Sequence, residues 1–126
     1  MNVVYFTAGE TYKALRVVPK RRSDCASLPS FSGSTATFTL WDNEDRTAKL
    51  LDGVAAVVEL NADNSLLAVR FEWTAGHWST VSAAKGGEPS GSGYRGRFEV
   101  ATSGGDTVMF PEQEGFVAIP IHILPA

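Results

Sequence analysis

Thr35-Ala36-Thr37-Phe38-Thr39-Leu40-Trp41 decides the fold class. Ala36, Phe38 and Leu40 alternate with threonines, and in extended backbone successive side chains point to opposite faces. The apolar set is therefore sent one way and the hydroxyl-bearing set the other, which is a strand with one face buried. Trp41 falls on the threonine side, so the same period directs it outward. An outward tryptophan reads as an interface anchor, or else as a side chain covered by a bulge or loop. Both readings are open at this point.

The same period recurs along the chain. Leu67, Val69, Phe71 and Trp73 alternate with Ala68, Arg70 and Glu72. Tyr94, Gly96, Phe98 and Val100 alternate with Arg95, Arg97 and Glu99, and Val117, Ile119, Ile121 and Ile123 make the most apolar row. Pro120 within that last row cannot donate to a ladder, which argues for an edge strand or a bulge. Weaker runs lie at Val3 to Phe6, Tyr12 to Val18, Gly53 to Leu60 and Thr107 to Phe110. Asp42-Asn43-Glu44-Asp45, Asn61-Ala62-Asp63-Asn64 and Ser103-Gly104-Gly105-Asp106 supply turns between them. About seven to eight short antiparallel strands with turns at this spacing predict a sandwich or barrel.

Helical evidence is confined to Thr74 to Ala84, where Thr74 is placed to cap a short turn carrying Trp78. Gly76 and the serine- and threonine-rich run after Trp78 predict no more than a turn or two. Trp73 is expected in the core, and Trp78 to be exposed. Two long loops are expected, at Lys20 to Ser34 and at Lys85 to Gly93, the second reading as a flexible linker.

One domain accounts for all 126 residues. Apolar residues make up 44% and charged residues 20%, a globular composition, and 12 glycines against 2 methionines suit a turn-rich β protein. A net charge of −3 gives no global attraction to nucleic acid or to anionic membrane. Lys20-Arg21-Arg22 is the one basic run, a solvated loop or a contact for phosphate or carboxylate. No apolar stretch approaches the ~20 residues of a membrane span. Met1 to Phe6 lacks the basic region and cleavage site of a secretory signal. Cys25 stands alone and forms no internal disulfide, as expected of a protein folded in a reducing cytoplasm.

The residues that carry chemistry do not assemble. Gly91-Ser92-Gly93-Tyr94-Arg95-Gly96 fits a dinucleotide fingerprint in letters only, because it opens a strand where the fingerprint must open a helix. His77 and His122 have no companion ligands at metal spacing, and both read as surface or interface histidines. Asp42, Glu44 and Asp45 crowd one turn without the spacing of a calcium loop. Glu112 and Glu114 have no acid/base partner. An enzyme needs a convergent set of perturbed groups, and the sequence offers none, so neither catalysis nor a cofactor is expected.

Phe71-Glu72-Trp73-Thr74-Ala75, Gly93 to Val100, Gly104-Gly105-Asp106-Thr107-Val108-Met109-Phe110-Pro111 and Gly115-Phe116-Val117-Ala118-Ile119 follow one another in a recognisable order. Over residues 54 to 123 this resembles the small immunoglobulin-like domains of tailed bacteriophages, such as the N-terminal domain of the phage baseplate upper protein. Gly9-Glu10-Thr11-Tyr12 resembles the usual opening of that family. The resemblance implies a single immunoglobulin-like β-sandwich over residues 1–126 and a structural role in a virion assembled in a bacterial host. Tyr94 is expected to bury its ring while its hydroxyl bonds near a corner, as tyrosine does in such sandwiches.

The expectation is thus a non-catalytic virion protein with Trp41, Trp78, Lys20, Arg21 and Arg22 as candidate interface residues. The small size, with no second domain or fibre, points to the head: capsid decoration, cement or neck. Its partners would be the major capsid, neck or tail proteins, with a homo-oligomer as a further possibility and neither nucleic acid nor membrane. A baseplate or tail adaptor holding a receptor-binding protein is the alternative within virions. A carbohydrate- or receptor-binding module, with Trp41 and Trp78 stacking on sugar rings, is the alternative outside that role.

Overall fold

The computed structural model describes residues 3–18, 30–43, 46–110 and 118–126. Among the described residues the fold is all-β with one helix. The elements are β1 (Val4–Thr7), β2 (Ala14–Val17), β3 (Thr35–Trp41), β4 (Lys49–Leu60), β5 (Leu66–Glu72), α1 (Ala75–Lys85), β6 (Gly91–Ala101), β7 (Thr107–Phe110) and β8 (Ile119–Leu124). They form one path of hydrogen-bonded neighbours, β1-β8-β6-β3-β4-β5-β2, with β7 also on β6.

Two long strands create this path. The first residues of β4 pair with β3 as far as Ala56, and from Val57 onward the strand pairs with β5. One strand thereby joins the two halves of the sheet. Within the β3-paired part lies a bulge: Phe38 pairs with Val54 and Leu40 with Leu51, leaving Asp52 and Gly53 opposite Thr39. Gly53 adopts φ 62° there, a left-handed conformation that glycine enters without a Cβ penalty. The strand β6 carries β8 along Gly91 to Gly96 and β7 along Phe98 to Ala101, with β3 on its other side.

The alternation read around Phe38 holds. Phe38, Leu40, Phe98, Val100, Ile119, Ile121 and Ile123 are all buried. Phe38 of one half stacks on Phe71 of the other at 4.3 Å, and Phe98 joins it at 5.0 Å. The core lies between the two halves of the curled sheet. Burying each such ring contributes roughly 1.5–3 kcal/mol, so these rings dominate the cohesion of a chain with no internal disulfide. Gly96 is required for space: a Cβ there would stand 2.6 Å from Phe38 Cζ and 2.9 Å from Ile121 Cδ1.

Several expectations change. The strands are not all antiparallel, since β1 runs parallel to β8 with Val4 opposite Ile121. Strand β8 has neighbours on both sides, so Pro120 is not on an edge strand; it lies opposite Arg95 of β6, one residue before the first β1 pair. Leu67 is turned out because a register shift at Glu59/Leu60 breaks the period, and Ala68 and Val69 are buried in succession instead.

The helix is three turns long, not one or two. Thr74 Oγ1 accepts from His77 N, and His77 Nδ1 accepts from Thr74 N in return. Gly86 closes the other end at φ 74°, its N–H donating to Ser82 O. Both ends are satisfied and Trp78 and Val81 are buried, so tertiary burial outweighs the weak propensity of the sequence. Residues 85–93 are consequently no flexible linker: Lys85 ends α1 and Gly91 already begins β6.

Candidate binding groove

Trp78 is not available as an interface residue. Its ring lies 3.8 Å from that of Trp73, nearly parallel, and its Nε1 donates to Glu10 O at 2.7 Å. The helix burial that lengthens α1 is what takes this tryptophan inside. His77 is likewise structural, packed 5.0 Å from Phe71, and burial lowers its pKa against the opposing pull of the Glu72 backbone carbonyl. Lys20, Arg21, Arg22 and Cys25 lie outside the described residues, as do Glu44, Asp45, Glu112 and Glu114. Asp42, from the acidic turn, is held by Lys85 Nζ at 2.7 Å. Among the described residues no three His, Cys, Asp or Glu side chains are gathered to hold a metal ion, and no helix is long and apolar enough to cross a membrane.

Trp41 stands on the outward face, as its register requires. It is partly buried, with the Arg46 guanidinium 5.9 Å from its ring centroid in a cation–π contact. It lines an open groove of about 250 Å³ together with Thr37, Thr39, Lys49, Asp52, Gly53, Arg97, Glu99 and Met109. The cross-strand register builds the floor: Thr39 faces Arg97, Thr37 faces Glu99, and Glu99 faces Met109 of β7. The β4 bulge opens the remaining wall. Thr39 Oγ1 accepts from Gly53 N at 3.1 Å, satisfying a donor that the bulge removes from the ladder.

The groove is charged in an uneven way. Lys49 and Asp52 neutralise one another at 3.4 Å. Arg97 and Glu99 remain, and Arg97 Nε is out of solvent with no hydrogen-bond partner among the described residues. A buried donor of this kind normally has an acceptor. Sequence reading found Trp41 and the outward alternation of Arg97 and Glu99, but not Lys49, Asp52 or Met109. Their convergence follows from the bulge, whose one sequence signal is a glycine inside a strand.

A second feature of the same outward face lies on its β1 flank. Tyr5 stacks on His122 at 5.4 Å. Val3, Tyr5 and Leu124 are 43%, 48% and 40% exposed, an apolar row along the end of the sheet. Lys13 Nζ donates to the Tyr5 carbonyl, which puts an ammonium on this edge and disfavours addition of a further strand.

Comparison with protein-family models, with curated proteins and with solved structures finds no match for this chain.

Proposed function

We propose that this chain is a non-catalytic, immunoglobulin-like structural protein of a tailed-phage virion, head-associated, which binds neighbouring virion proteins through the outward face of its sheet. The observation that carries the docking role is the row Val3, Tyr5, His122 and Leu124. Exposed aromatic and aliphatic side chains set side by side on a sheet face form a patch suited to a protein partner. Because Lys13 blunts the edge, the partner packs on the face and does not extend the ladder.

The immunoglobulin-like reading is supported by the roles of the motif residues. Trp73, Tyr94, Phe98, Val100 and Phe110 are all core. The Tyr94 hydroxyl donates to Pro89 O at 3.0 Å, five residues upstream, in the manner of a tyrosine corner. The phage context is supported by the order of those motifs in the sequence.

Quantitative mass spectrometry of purified particles tests the reading. Copies on the order of hundreds per particle are expected of a decoration protein, and the Tyr5→Glu variant, still folded by circular dichroism, should be depleted from particles. About six or twelve copies would move the protein to the neck or baseplate. Absence from particles would overturn the virion role.

A further inference from the structure

We infer that the groove beside Trp41 is a saccharide site, built for a pyranose ring that carries a carboxylate. The site is distinct from the Val3–Tyr5–Leu124 row, so it stands or falls independently of the virion role.

Three features of the groove select the ligand class. Its floor is laid by β3, β4 and β6, and β3 at its centre is paired on both sides, with β4 and with β6. The backbone of β3 is committed to its two neighbours, so a ligand lying across it meets side chains. These are an indole wall, the Thr37 and Thr39 hydroxyls, and charged groups that donate and accept. A pyranose matches this, since its C–H face is apolar and its rim carries hydroxyls. The volume of about 250 Å³ suits a single ring held in a shallow site.

The charge arrangement selects an acid. With Lys49 and Asp52 paired to each other, the cation on the floor without an ion pair among the described residues is Arg97. A guanidinium presents its donors in a planar fork matched to a carboxylate. Arg46 over the Trp41 ring adds a second positive charge at the mouth. Glu99, two residues from Arg97 on the same face of β6, is then placed to accept from ring hydroxyls. The carboxylate therefore goes to Arg97, the ring to Trp41, and the hydroxyl rim to Thr39 and Glu99.

Titration of the full chain with trigalacturonate, followed by nuclear magnetic resonance, tests this. Saturable shifts of the Trp41 indole N–H and the Arg97 side-chain N–H are expected, with the Trp73 and Trp78 indole signals unmoved. Trp41→Ala and Arg97→Gln should each weaken binding at least about tenfold, while the unmoved Trp73 and Trp78 signals report an intact fold in each variant. Neutral maltotriose and a hexaglutamate peptide should bind at least about tenfold more weakly than trigalacturonate. The inference is overturned if none of the three probes binds, if maltotriose or the peptide matches the acidic sugar, or if either substitution leaves affinity unchanged.

Discussion

His77 works as a neutral imidazole. Its Nδ1 accepts the Thr74 N–H, which a protonated ring cannot do. Burial also disfavours the charged form, so its pKa lies below the ordinary value of 6.5. The unfolded chain therefore binds this proton more readily than the folded one. The contribution of His77 is fully present above about pH 6.5 and is lost as pH falls through the lowered folded value. Urea denaturation between pH 5 and 7.5 should show stability rising with pH across this window, and His77→Gln should flatten that dependence. Gly96 makes a sharper demand, because the ring its Cβ would strike is fixed between Phe71 and Phe98. Gly96→Ala is expected to cost about 1–3 kcal/mol by overpacking, read as a lowered denaturation midpoint with an unchanged slope.

At the scale of elements, α1 and β4 show how local chemistry serves tertiary placement. The helix has no acidic residue in its first turn, so its start depends on the Thr74–His77 exchange. Thr74→Ala should cost about 1 kcal/mol. Gly86→Ala, at a position with φ 74°, should cost about 1–2 kcal/mol. Both are measurable by chemical denaturation, and neither should alter sugar binding at the groove. The outcome of this capping is the Trp73–Trp78 stack, which ties the helix to the strand before it. In β4 the bulge at Asp52 and Gly53 brings both residues to the wall beside Trp41, while the strand passes from β3 to β5 between Ala56 and Val57.

Over the whole molecule, the two ends of the chain are bound into one structure. Strand β8 is the shared neighbour of β1 and β6, and Ile121 pairs with both Val4 and Tyr94. One continuous core cluster runs from Phe6 to Ile123, so unfolding should be a single cooperative transition. Truncation after Ala118 removes β8 and leaves β1 without its pairing partner. The truncated chain is expected to lose both the cooperative melt and the near-ultraviolet dichroism of the packed tryptophans. A cooperative melt in that variant would mean that β1 and β8 are an appendage to the fold.

The period-two pattern, by itself, determined the all-β class, the inward rows on β3, β6 and β8 and the outward register of Trp41. The turn residues at 61–64 and 103–106 marked two hairpins. These are local properties: one residue in two faces the core whatever the partner strand is. Tertiary structure decided the parallel β1–β8 pair, the bend of β4, the length of α1 and the burial of Trp78. Each of these rests on contacts between residues far apart in sequence, such as Trp78 Nε1 with Glu10 O, which no periodicity encodes. The groove belongs to both. Thr37, Thr39 and Trp41 face outward by alternation alone, but they meet Lys49 and Asp52 only because a glycine in the next strand lets the sheet bulge.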